Sequence, residues 1–285
     1  MNYVILAIAS LTLTSQNICQ RKYNDHSGVG AFLFSGMISF FAMMFFIAVN
    51  RDWSYSAELL IPSSLFALFY SGAMLFMVLG IKYGSLAKTS LIGSCSLLLP
   101  SLYGIIMLGD PISPTLIIGT VFLLAALVMV NYQKSSSEEK ISVKWIICVT
   151  LLFICNGMCT IVQKSKQIIY GEASNNVFMI VALAMVTVIM LILSLVFKDE
   201  RRKTKISLRY GWLWAIFCGL ANGITNFLII YLNPRIPASV MFPVISGVGM
   251  TLIFLYSLFI RREKFNARQT VGFFVGIASI ILLNL

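Results

Sequence analysis

The chain has 285 residues, of which 59% are hydrophobic and 11% charged. A soluble domain carries about 25% charge, so this chain could not cover its own surface in water. With 13% aromatic residues and 14 Met it does not have the polar, aromatic-poor composition of a disordered chain either. A spanning helix needs about 20 apolar residues, so ten spans would use roughly 200 positions and leave little outside a bilayer. The net charge of +11 is spread between apolar runs, where positive charge sets topology, and no nucleic-acid partner is expected.

Hydropathy gives ten runs in chain order: 2–19, 29–49, 60–81, 86–108, 114–131, 144–163, 173–197, 210–231, 236–260 and 267–284. In hydrocarbon every backbone group needs an internal partner, and runs of this length are about twice a barrel strand, so they must be helices. The expected fold class is an all-α integral membrane protein with ten transmembrane helices. Only two connections are longer than a tight turn, Gln133 to Val143 and Lys198 to Arg209. The N-terminus has no basic segment before its apolar run, which ends in Gln16-Asn17 and not at a small-residue cleavage site, so it reads as the first span.

Seventeen of the 21 Lys and Arg fall in the odd-numbered loops; only Arg51, Lys164, Lys166 and Arg235 fall in the even ones. The positive-inside rule then makes the odd loops cytoplasmic and turns both termini outward. Six cysteines lie within apolar segments without the paired spacing of a zinc site, and they read as small packing residues.

The halves repeat. Asp110 stands nine residues before Gly119, and Glu263 stands nine residues before Gly272, an offset of 153 at both landmarks. Both following helices start with a cap: Ser113 before Pro114, and Asn266 with Gln269 three residues on. Each half holds five helices, an odd number, so the second enters the membrane from the opposite side. The division expected is residues 1–132 for the first repeat, 133–143 for a polar linker and 144–285 for the second. Inverted repeats can exchange conformations and open a midplane site to one side and then the other.

These residues resemble the drug/metabolite transporter superfamily in its ten-span EamA-type form: an acid in the turn Leu108-Gly109-Asp110-Pro111-Ile112-Ser113, then a glycine-containing fifth helix, with a counterpart at Glu263. The resemblance implies a transporter of small metabolites in a bacterial cytoplasmic membrane. It also implies a central cavity lined by helices three, four, eight and nine, with help from one and six. The chain departs from the family in having Asp110 where Glu is usual, and in its basic second-half turn, Arg261-Arg262-Glu263-Lys264. Many family members keep their termini inside, against the outward reading here.

Polar side chains inside the spans are the candidate substrate contacts. All ten acids lie in loops or at helix ends and the one histidine, His26, is in the first loop. No carboxylate inside a span is then available as a proton relay, no carboxylate pair for acid–base catalysis, and no His-based metal cluster. In helix eight Asn222 and Asn226 are four apart on one face, either bonded to another helix or facing a ligand. Gln16 and Asn17 on helix one lie deeper than a helix end requires, and Asn156 with Thr160 repeats the four-residue spacing on helix six. Ser90 and Ser94 share a face of helix four, which Ser101 extends; Ser239, Pro243 and Ser246 are their counterparts on helix nine. Lys88 either snorkels to the interface or attracts an anionic group at the cavity mouth. Tyr70 is a mixed case and completes the set. Gly272 and Gly276 form a small-residue face for helix packing or for a homodimer through helices five and ten.

The reading is an exporter or facilitator of small polar metabolites, amino acids or related solutes, working by alternating access. Its expected partners are a small-molecule solute and the lipid bilayer, with no cofactor, no metal and no catalytic residue. Two rivals belong to other classes: a non-transporting assembly partner, which would survive Asn222→Leu with Asn226→Leu, and a membrane enzyme or lipid-handling protein, which would depend on one nucleophile such as Ser90.

Overall fold

The structure is a computed structural model that describes residues 2–24, 26, 29–54, 56–84, 89, 92–93, 95–96, 98–131, 142–172, 174–260 and 266–283. Among these residues there are ten α-helices: α1 (Asn2–Asn24), α2 (Ala31–Val49), α3 (Leu60–Tyr83), α4 (Leu98–Met107), α5 (Pro114–Asn131), α6 (Val143–Tyr170), α7 (Asn175–Val196), α8 (Lys198–Leu232), α9 (Ala238–Phe259) and α10 (Ala267–Leu283). They form two inverted five-helix repeats, α1–α5 and α6–α10. Six helices are long and apolar enough by themselves to cross a bilayer, α2, α3, α6, α7, α8 and α9. Helix α1 is more polar because Thr12, Thr14, Ser15, Gln16 and Asn17 interrupt it.

The helices cluster into two compact units, each drawing on both repeats. One comprises Tyr3–Leu75 with Val162–Pro234, the other Phe76–Ile161 with Arg235–Leu285. In the first unit α2 packs against α7 and α8; in the second α5 packs against α10, and α9 against α4 and α10. Thus α2 meets α7, α4 meets α9 and α5 meets α10, each helix lying on its counterpart from the other repeat. Gly36 allows the α2–α7 approach, since a Cβ there would stand 3.3 Å from the Met190 Cβ. Gly272 and Gly276 are buried on α10, whose helix neighbours are α5 and α9.

Helix ends follow local chemistry. Ser113 Oγ accepts the Leu116 N–H at 3.0 Å, capping α5 just before Pro114. Asn266 and Gln269 cap α10 reciprocally, with Gln269 N donating to Asn266 Oδ1 at 2.8 Å and Asn266 N to Gln269 Oε1 at 3.1 Å. Both caps were expected from the sequence.

Three sequence expectations need correction. Lys198 to Arg209 is not a loop but the first third of the 35-residue α8. Hydropathy cannot see a polar helix, yet Asp199 and Glu200 sit in its first turn, where the helix dipole favours negative charge. Helix six does not stop at 163: α6 runs to Tyr170 and buries Lys164 (6% exposed) and Lys166 (2% exposed), which read as loop residues. Helix four is interrupted, with Ser96 in a turn before α4 starts at Leu98. The cause is Pro100, which has no N–H for the Ser96 carbonyl; Leu99 N donates to it instead, at 3.0 Å.

Candidate functional site

The first unit holds a chain of amides across three helices. Asn222 Nδ2 of α8 donates to Gln16 Oε1 of α1 at 3.2 Å. One turn along, Asn226 Nδ2 donates to the Asn222 carbonyl at 3.0 Å and to Asn222 Oδ1 at 3.2 Å. Gln163 Nε2 of α6 then reaches Asn226 Oδ1 at 3.5 Å. Gln16, Asn222 and Gln163 are buried, while Asn226 is half-buried. Thr12 and Thr225 hydroxyls add a rung at 2.8 Å between α1 and α8. Cys218 Sγ donates to the Gln16 carbonyl at 3.6 Å. These rungs pair falling numbers on α1 with rising numbers on α8, so the two helices run antiparallel. Asn222 lies ten residues before the α8 end at Leu232, about 15 Å along the axis, half of a hydrocarbon core about 30 Å thick.

At the end of α8, prolines create the next contacts, this time with α6. The carbonyls of Ile230 and Asn233 would take the N–H four residues on, but those positions are Pro234 and Pro237 and have none to give. Side chains of α6 serve them instead. Gln167 Nε2 donates to the Ile230 carbonyl at 2.9 Å, and Lys164 Nζ to the Asn233 carbonyl at 3.2 Å. A cation at a helix C-terminus also suits the helix dipole. Lys166 Nζ turns to Asn175 Oδ1 at 2.7 Å and the Gly171 carbonyl at 3.4 Å, and lies 5.7 Å from the Phe178 ring centre.

The second unit has its own polar centre at the break before α4. Asn156 Nδ2 of α6 donates to the Gly93 carbonyl at 3.1 Å and to Ser96 Oγ at 2.6 Å. Ser96 Oγ donates in turn to the Gly93 carbonyl at 2.6 Å. Gly157 permits this close approach: a Cβ there would meet Leu99 Cδ1 at 2.5 Å and the Ser96 carbonyl oxygen at 2.9 Å. After α4 the chain turns through Gly109, whose φ of 69° is left-handed and suits glycine. The turn delivers Asp110 to the start of α9, where its Oδ2 accepts the Ser239 N–H at 3.0 Å. An apolar crevice in this unit is lined by Cys95, Leu98, Leu123, Leu124, Leu127, Pro243 and Ser246.

Of the substrate contacts expected from sequence, the structure brings Gln16, Asn222 and Asn226 into one network. Asn17 is exposed and not part of it. Asn156 belongs to the second unit, bound to the α4 break. Ser246 is half-buried and donates to the Phe242 carbonyl of its own helix at 3.0 Å. Tyr70 is half-buried in the first unit, its ring 5.8 Å from that of Phe66. Lys88, Ser90 and Ser94 lie outside the described residues. Sequence reading missed Gln163, Lys164, Gln167 and Asn233. The signal was there, since Gln163 and Gln167 are four apart like Asn222 and Asn226, but two lysines between them resembled a loop.

Comparison with known proteins agrees with this architecture. No curated protein matches the chain. A solved crystal structure superposes with a TM-score of 0.77 at 13% identity, covering 100% of this chain and 98% of the other, a likeness of fold. The model of the EamA-like transporter family matches residues 1–132 and 143–285. Nearly the whole chain is thereby accounted for, in two stretches that coincide with its two repeats, and the chain belongs to the EamA-like transporter family.

Proposed function

We propose that this membrane transporter carries small polar organic solutes, amino acids or related metabolites, by alternating access, and that Gln16, Asn222, Asn226 and Gln163 line the route. The observation that carries the reading is the amide chain itself. Four amide side chains from three helices meet at mid-depth, where a packed hydrophobic core would need none. Each offers both a donor and an acceptor, so together they can replace the water around a neutral or zwitterionic solute. The route needs no catalytic step, and the protein is a carrier and not an enzyme. Without a carboxylate in this network, the driving force is the solute gradient, as in a facilitator or exporter. Serine and lysine at 88, 90 and 94, together with Asn156, Ser246 and Tyr70, belong to the same proposal as further contacts at other stages of the cycle. In the bacterial cytoplasmic membrane the odd loops face the cytoplasm and both termini face outward. Exposed Phe122, Val271 and Phe274 on α5 and α10 face lipid or a second copy.

The test is uptake of a labelled amino-acid panel by liposomes holding the purified protein. Asn226→Leu should cut uptake about tenfold or more while leaving the unfolding temperature near that of the parent, tenfold corresponding to about 1.4 kcal/mol. Uptake by the variant equal to the parent across the panel would refute the assignment.

A further inference from the structure

The facing ends of α6 and α8 keep hydrogen-bonding capacity that no described residue uses. Asn233 is 4% exposed, yet both its side-chain atoms, Nδ2 and Oδ1, are buried without a hydrogen-bond partner. Gln167, 7% exposed, spends its Nε2 on the Ile230 carbonyl and leaves Oε1 buried and unpartnered. Each such atom costs about 1–3 kcal/mol if nothing ever satisfies it. Three at one place, on two residues tied to adjacent turns of the same helix end, mark a site whose occupant supplies the missing bonds.

The chemistry of the vacant positions selects the occupant. Two are acceptors, Gln167 Oε1 and Asn233 Oδ1, and one is a donor, Asn233 Nδ2. Lys164 brings a positive charge to the same residue, its Nζ 3.2 Å from the Asn233 carbonyl. A simple cation is disfavoured by that ammonium. A phosphate presents mostly charged acceptor oxygens, its P–OH groups aside, and would set them against two carbonyl oxygens. A group with a carboxylate next to an amino or hydroxyl donor fits all of them: the carboxylate takes Asn233 Nδ2 and the lysine charge, and the donor takes the two oxygens.

We propose that the paired ends of α6 and α8 form a recognition site for the head group of a small α-amino or α-hydroxy carboxylate. The site stands at the end of the amide series Gln167, Gln163, Asn226, Asn222 and Gln16, so an acid bound there is at the mouth of the route. In this respect the proposal deepens the carrier reading and rests on it. In the present conformation the two helix ends are shut over the site, as its buried atoms show, and the exchange of conformations opens it.

The experiment is thermal unfolding of the full chain in detergent, titrated with L-alanine, L-lactate, L-alaninamide and inorganic phosphate. L-Alanine or L-lactate should raise the unfolding temperature saturably; L-alaninamide, which lacks the carboxylate, and phosphate should not. Asn233→Leu should abolish the ligand-induced rise, weakening binding about tenfold or more, while the unliganded variant unfolds at a higher temperature because an unsatisfied amide is gone. Where that variant does not purify, Asn233→Asp keeps the size and sets a negative charge against the carboxylate, and should lose the rise as well. The proposal is overturned if neither carboxylate shifts the parent, or if the variant that purifies keeps the parent's affinity for it. Liposomes that do not transport L-alanine, although binding and its loss in the variant persist, would sink the carrier reading alone.

Discussion

The carboxylate of Asp110 accepts the backbone N–H of Ser239 at 3.0 Å, so the acid of the Leu-Gly-Asp-Pro turn caps the helix of the other repeat. Glu200 does the same in the first unit: its Oε2 accepts the Phe32 N–H at 2.9 Å in the first turn of α2. In both cases a carboxylate meets backbone donors that the helix itself leaves unpaired, at the end where the helix dipole is positive. Two of the few acids in this chain are thus tied to architecture, in line with a transport route built from amides.

Asp110→Ala should lower stability by about 1 kcal/mol, within the range for lost caps. Asp110→Asn, which retains an acceptor oxygen, should recover most of it. Thermal unfolding of detergent-purified protein measures both. Equal loss in the two variants would show that the hydrogen bond is not what matters.

Glu200→Ala should cost about 1–3 kcal/mol, because it strands the buried Phe32 N–H. The neighbouring contacts share the load: Gly30 N donates to Ser207 Oγ at 2.7 Å, and the Tyr23 hydroxyl to the Gly30 carbonyl at 2.7 Å. Ser207→Ala combined with Glu200→Ala should therefore depart from additivity, as groups in one network do. A double-variant cycle on unfolding free energies reads this directly. Strict additivity would mean that the two bonds act independently.

Much of this was legible in advance, and the failures have a common cause. The bounds of α5 were readable because Ser113, Pro114 and the apolar run that follows agree with one another. The repeat was readable from the spacing of Asp110 and Gly119 against Glu263 and Gly272. Hydropathy failed wherever a polar residue was helical: it ended helix six at Gln163 because Lys164 and Lys166 follow, and it took the charged start of α8 for a loop. It therefore found Asn222 and Asn226 but not Gln163 and Gln167, which stand at the same spacing beside them. Nothing in a one-dimensional pattern shows that Pro234 and Pro237 orphan two carbonyls that a lysine and a glutamine from another helix then serve.

The Asn266–Gln269 capping box stands exposed at the start of α10. Asn266→Ala should cost about 1 kcal/mol and leave liposome uptake per folded molecule unchanged. A loss of uptake larger than the loss of folded protein would tie the α10 start to transport.

Gly157 tests the interruption of helix four. Its missing side chain lets α6 run against the turn at Ser96, with a Cβ destined to lie 2.5 Å from Leu99 Cδ1, 2.7 Å from Leu99 Cβ and 2.9 Å from the Ser96 carbonyl oxygen. The leucine tip can rotate away, but its Cβ and the carbonyl are fixed by the backbone. Gly157→Ala would normally gain up to about 1 kcal/mol from helix propensity in a helix interior. Here overpacking should reverse the sign and destabilise by about 1–3 kcal/mol. Asn156→Leu should destabilise through a different route, by stripping the Gly93 carbonyl and Ser96 Oγ of their amide donor. The two are neighbours on one contact, so the double variant should lose less than the sum of the singles. If Gly157→Ala instead raises the unfolding temperature, the α6 approach to Ser96 is looser than the structure has it.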